Sequence, residues 1–163
     1  MPDDHAAPVL VAYDGSELSK AAVRHAAELF PDRRTVVATV WEPELPEMPV
    51  IASPDPASGF SIPADPETVE RIERVEHERA ERVAREGVEL ARSLGLAAEP
   101  HAVPDELDVA DTLIDLARAQ RAAVVVVGSH GISGLRSRLL GGVSRKLIDH
   151  CDRPVLVIRG ESR

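Results

Sequence analysis

A chain of 163 residues suits one domain with a core of its own. Its formal net charge of −9 makes it a poor partner for a nucleic-acid backbone or an anionic membrane, and 2% aromatic residues leave little platform for stacked bases. Cys151 is alone, which excludes an internal disulfide, and neither a signal peptide nor a membrane-spanning run is visible, so a cytoplasmic location is expected.

Pro8-Val9-Leu10-Val11-Ala12 reads as the first strand, ended by the turn residues Tyr13-Asp14-Gly15-Ser16. Ser16 or Ser19 can cap the helix that follows, with Glu17 near its positive end. Ala21, Ala22, His25, Ala26 and Leu29 recur at helical spacing until Pro31 and Asp32 stop the run. Thr35 to Trp41 is β-branched and reads as the second strand. From Glu42 to Pro66 prolines abound and no periodicity survives. This stretch reads as a long variable loop, either a solvated connection or a lid or partner surface.

The longest helix is expected from Glu67 to Leu94, with Asp65 as N-cap, Pro66 at its first position and Gly95 at its close. Val69, Ile72, Val75, Ala80, Val83, Leu90, Ala91 and Leu94 form its apolar stripe. Glu70/Arg74, Glu78/Arg82 and Glu81/Arg85 stand at i,i+4, each pair worth about 0.2–0.5 kcal/mol, so the charges read as a solvated face. Ala97 to Val103 reads as a third strand, and Val109, Leu113, Ile114, Leu116 and Ala117 as a helix ending near Gln120.

Val124-Val125-Val126-Val127 reads as a strand buried on both faces, the mark of a parallel sheet. Glycines follow at once. Gly128 and Gly131 let the backbone turn and approach a ligand, and Gly141-Gly142 precede an amphipathic helix, Val143 to Ile148. A strand, a glycine loop and a fresh helix N-terminus gather unpaired N–H groups and a helix dipole, which suits an anion. The plain alternative is a βα connection with convenient glycines. Arg153 to Arg159 supplies a fifth strand. Alternating strands and helices imply a parallel sheet covered on both faces, with ligands beyond the carboxyl ends of the strands where strand order reverses. Asp14 and Gly128 both stand at such ends.

Val9-Leu10-Val11-Ala12-Tyr13-Asp14-Gly15-Ser16 resembles the opening of the universal stress protein family. Gly128-Ser129-His130-Gly131, nine residues, then Gly141-Gly142-Val143-Ser144 resembles that family's nucleotide motif, Gly-x2-Gly-x9-Gly-(Ser/Thr). Cys151 to Ile158 resembles its closing strand, and the likeness spans nearly the whole of 1–163 as a single domain, with 42–66 as the variable part. The resemblance implies an α/β three-layer sandwich, Rossmann-like and similar to the adenine nucleotide alpha hydrolases, with a five-stranded parallel sheet of order 3-2-1-4-5. It implies a homodimer paired through the last strand, and ATP as ligand, with Mg²⁺ on its phosphates. Carried over, Ala12 and Asp14 would border ribose and adenine, and Val40 would offer backbone contacts to adenine. Val127, Gly128, His130 and Gly131 would line ribose and phosphates, and Gly141, Gly142, Val143 and Ser144 would hold the phosphate tail.

Two departures stand out. Gly142 replaces the family's Ser or Thr, and a hydroxyl bonded to a charged phosphate is worth about 1.5–3 kcal/mol, or roughly tenfold and more in affinity. The amide of Gly142 remains, and Ser144 is expected to substitute in part. Leu107-Asp108-Val109 stands where the family often has Gly-Asp-Pro.

Single residues keep two readings each. Asp14 can serve ribose or a phosphate-bound metal, or cap the turn. His130 can touch phosphate or solvent. Arg136 and Arg138 can neutralise phosphate or add solubility, and Ser144 can be an ordinary first-turn residue. Cys151 reads as a small buried hydrophobe. The other histidines show no ligand spacing, so a metal site of protein groups alone is not expected. Three functions follow: a nucleotide-holding stress or regulatory protein, a slow ATPase or nucleotidyl transferase, and a dimeric interaction module without nucleotide. Neither a Gly-x4-Gly-Lys-(Ser/Thr) loop nor a Ser-Gly-Gly-x-Asp-Ser loop occurs, and no general base can be named.

Overall fold

The computed structural model describes residues 7–42, 66–105, 108–130 and 141–160. Their order is β1 (Val9–Ala12), α1 (Glu17–Leu29), β2 (Thr35–Trp41), α2 (Pro66–Ser93), β3 (Ala98–Pro104), α3 (Val109–Ala119), β4 (Val124–Gly128), α4 (Gly142–His150) and β5 (Val155–Ile158). The sheet runs β3-β2-β1-β4-β5 with every pairing parallel. β1 is central: Val9 lies opposite Thr35 on one side and Val124 on the other.

Alternation along each strand divides the core in two. Val9, Val11, Val37, Val124 and Val126 face the helices α1 and α2. Leu10, Val36, Ala38, Val125 and Val127 face α3 and α4. Both faces of β1, β4 and most of β2 are therefore dry, which is why their sequences are near-continuous apolar residues rather than alternating apolar and polar. The result is three layers.

Local chemistry sets the helix ends. Ser16 is the N-cap of α1, its side chain accepting from the Ser19 amide at 3.2 Å, while the Ser19 hydroxyl donates to the Ser16 carbonyl at 2.9 Å. Gly95 closes the turn after α2 with φ +89°, a conformation that favours glycine. The buried stripe of α2 is Ala80, Ala84, Gly87, Val88 and Ala91, which corrects the sequence reading: Val75 and Leu94 are exposed. Gly87 is the reason. A Cβ there would stand 2.7 Å from Val37 and 2.9 Å from Tyr13, so the helix lies down along its smallest residues, not its largest. Of the expected ion pairs on this helix, Glu81–Arg85 closes at 3.3 Å.

The two edges differ. β3 carries Glu99, Pro100 and Pro104, a charged and proline-blunted edge. β5 is Val-Leu-Val-Ile, half-buried and uncharged. The proline-rich stretch 43–65, the expected cap at Asp65, and Gly131, Arg136 and Arg138 of the glycine loop lie outside the described residues. Among the described residues no helix is long and apolar enough to cross a membrane.

Candidate functional site

After β1 the chain turns to α1 on one face of the sheet; after β4 it leads to α4 on the other. The two strands are neighbours, so a crevice opens beyond their carboxyl ends, where such sheets take ligands. A cavity of about 350 Å³ occupies it. Its apolar end is made by Ala12 of β1, Ala38 and Val40 of β2, Val127 of β4, and Val109 and Leu113 of α3. Its polar end is made by His130 and the start of α4, from Gly141 to Ser144.

The start of α4 is left open. Gly141 is its N-cap and offers no side chain, and the first bond along the helix is from the Arg145 amide to the Gly141 carbonyl at 3.0 Å. The amides of Gly142, Val143 and Ser144 therefore have no partner among the described residues. Two ties fix this uncapped end to the strand. The Gly141 amide donates to the Ser129 carbonyl at 2.8 Å, and the buried Ser144 hydroxyl donates to the Gly128 carbonyl at 2.8 Å. In this arrangement the Ser144 hydroxyl proton serves the strand.

The three described glycines from the end of β4 to the start of α4, Gly128, Gly141 and Gly142, act differently. A Cβ on Gly128 would stand 2.9 Å from the Leu18 Cβ, so its bareness admits α1 rather than a ligand, a correction to the sequence reading. A Cβ on Gly141 would stand 3.1 Å from the Ser129 carbonyl oxygen, so it serves the close tie to β4. A Cβ on Gly142 would meet nothing within 4 Å among the described residues. None of the three has a positive φ.

Asp14 takes the turn-capping role. Its Oδ1 accepts from the Ser16 amide at 2.9 Å across Gly15, whose φ is +81°. His130 Nδ1 lies 3.0 Å from the Ser129 hydroxyl, and its Nε2 is buried with no partner among the described residues. At the α3 side, Asp108 is the helix N-cap, accepting from the Asp111 amide at 3.0 Å. The Lys146 ammonium binds the carboxylates of both Asp108 and Asp111, the latter at 2.7 Å. That hydrogen bond from Lys146 holds the Asp108 carboxyl below the usual carboxylate range, and the two aspartates push the Lys146 ammonium above its usual value. Among the described residues no three His, Cys, Asp or Glu are grouped to hold a metal ion.

The structure thus brings together Ala12, Asp14, Val40, Val127, Gly128, His130, Gly141, Gly142, Val143 and Ser144 around one cavity; Gly131 lies outside the described residues. Sequence reasoning missed Tyr13, Ser19, Ala38, Val109 and Leu113, which also line it. Ala38 shares a strand face with Val40 and was open to an i, i+2 argument, but Val109 and Leu113 look like any core residues of α3.

A model of the universal stress protein family matches residues 6–159. The chain is 26% identical over 151 residues to universal stress protein YxiE of Bacillus subtilis, spanning 93% of this chain and 97% of that one. A solved member of the same family from Burkholderia pseudomallei is 28% identical, with a TM-score of 0.65 over 97% of this chain and 98% of its own. The universal stress protein of Archaeoglobus fulgidus, solved in complex with dAMP, has the same fold at 23% identity, with a TM-score of 0.60 over 94% of this chain and 98% of its own.

Proposed function

The chain belongs to the universal stress protein family, and on that premise we propose that it holds an adenine nucleotide, ATP, in the cavity between β1 and β4 and acts as a homodimeric stress or regulatory protein. One observation carries the reading: an apolar slot opens onto three helix-start amides that nothing among the described residues caps. Such amides, backed by the helix dipole, are a ready site for phosphate oxygens in an otherwise acidic protein. The slot formed by Ala38, Val40, Val109 and Leu113 offers the flat apolar walls a base needs. The dAMP complex of the Archaeoglobus relative supports an adenine ligand.

In this reading Ala12 and Asp14 border the ribose, and Val40 meets the base through its backbone. Val127, Gly128, His130 and Gly131 line the ribose and first phosphates, and Gly141, Gly142, Val143 and Ser144 receive the tail. Mg²⁺ would arrive on the phosphates, with Asp14 the carboxylate at the cavity wall. The engagement of Asp14 with its own turn and of Ser144 with Gly128 favours holding a ligand over turning one over. The uncharged edge of β5 suits pairing with a second copy, as the blunted edge of β3 does not.

One feature favours a second reading, a dimeric module without nucleotide: Gly142 lacks the family's hydroxyl. A thermal-shift titration separates the two. ATP, ADP or AMP at 100 times its dissociation constant should add about 2.7 kcal/mol of stability. A melting curve that stays put with every nucleotide supports the module instead, and ADP released over minutes would make the protein an ATPase.

A further inference from the structure

Lys146 stands one helical turn beyond Gly142 on α4, and it is not part of the cavity lining. Its ammonium grips Asp108 and Asp111, and Asp108 is also the N-cap of α3. One side chain thus ties the first turn of α3 to the second turn of α4, two helices that both line the cavity. α3 contributes the apolar wall of Val109 and Leu113; α4 contributes the open amides. Both helices lie on the same face of the sheet, and at the far end Arg118 of α3 meets Asp152, two residues past α4, at 3.3 Å. At the cavity end the described residues supply Lys146 alone as an ionic link between the two helices.

The start of α4 has no capping side chain. The Gly141 and Ser144 bonds fix it to β4, but neither reaches α3. We infer that Lys146 is a positioning residue. By gripping Asp108 and Asp111 it sets the separation between the amides of Gly142, Val143 and Ser144 and the wall of Val109 and Leu113, so that one ligand engages both ends at once. The inference rests on the nucleotide reading of the cavity. Recognition groups work only when held to within about half an ångström by neighbours that are themselves locked, and a doubly bonded ammonium is such a lock. Both groups are charged at neutral pH, and the grip lowers the Asp108 value and raises that of Lys146.

The test compares adenosine with AMP by calorimetric titration in four forms of the full chain: unaltered, Lys146→Met, Lys146→Arg, and Asp108→Asn with Asp111→Asn. Asparagine keeps the cap of α3, and melting curves establish that each form is folded. Lys146→Met should lose roughly tenfold in AMP affinity, the worth of one misaimed charge-assisted hydrogen bond, while adenosine moves by less than about twofold. Lys146→Arg should recover most of the loss. The double asparagine form is the sharper arm. It removes two negative charges near an anion site, so simple charge attraction by Lys146 would make AMP bind more tightly, whereas loss of the brace makes it bind more weakly. Tighter AMP binding there, an equal loss for adenosine and AMP, or no loss in Lys146→Met overturns the brace while AMP binding by the unaltered chain keeps the site. If the unaltered chain binds neither ligand, the nucleotide reading falls, and the brace with it.

Discussion

Gly142→Ser restores the hydroxyl that the family motif carries, and the site has room for it. An added Cβ meets nothing within 4 Å among the described residues, and the backbone there has no positive φ. The position is the first residue of α4, beside the open amides, so the new hydroxyl stands where the phosphate tail is proposed to lie. A hydrogen bond to a charged group contributes about 1.5–3 kcal/mol, so ATP and AMP should bind roughly tenfold to a hundredfold more tightly. Adenosine has no phosphate and should not respond. Replacing glycine also narrows the unfolded ensemble, which should raise the stability of the ligand-free protein by about 0.4–1 kcal/mol. Calorimetric titration of the three ligands measures the first effect, and urea denaturation the second. Unchanged affinity for AMP and ATP, or an equal gain for adenosine, would refute the placement of phosphate at the α4 start.

Gly87→Ala should destabilise the protein by about 1–3 kcal/mol in urea, although alanine favours helix by about 1 kcal/mol, because its methyl would press on Val37 and Tyr13; a gain in stability contradicts the close approach of α2. Ser144→Ala should cost about 1–3 kcal/mol by leaving the Gly128 carbonyl without its donor, measured in the same way. The Asp108–Lys146 contact should be felt only at the extremes of pH. The Asp108 value is lowered on folding, so its contribution is present above about pH 4 and is lost as pH falls through the lowered value; the Lys146 value is raised, so its contribution is present below about pH 10 and is lost as pH rises through the raised one. Lys146→Met should therefore flatten both limbs of a stability–pH profile, and a profile identical to the unaltered chain's counts against the contact. Light scattering should give twice the mass of one chain; a monomer removes β5 as a pairing edge.

The parts legible in the sequence were those that one residue type or a short spacing can signal. Valine runs announced strands buried on both faces, and glycines after Val127 and before Val143 announced the turn and the helix start. What escaped depends on the third dimension. The value of Gly87 lies in Val37 and Tyr13, which are far away in sequence and touch it only when α2 lies on the sheet. The counting of large apolar residues therefore put Val75 and Leu94 in the α2 stripe and left out Ala84, Gly87 and Val88. Lys146 is separated from Asp111 by 35 positions, and no periodicity connects them. Leu113 is chemically a core leucine wherever it points. Ser144 carried the family pattern but not its bonding partner; only the structure shows that its proton is given to Gly128.

The backbone amides of Gly142, Val143 and Ser144 can be watched one by one in a ¹⁵N-labelled sample titrated with AMP and then ATP. Phosphate accepted at the head of α4 should move these three proton resonances far downfield, more than any on the α2 side of the sheet, and adenosine should leave them nearly still. Resonances that stay in place at saturating nucleotide, or a shift pattern centred elsewhere, would contradict a ligand held by that helix end.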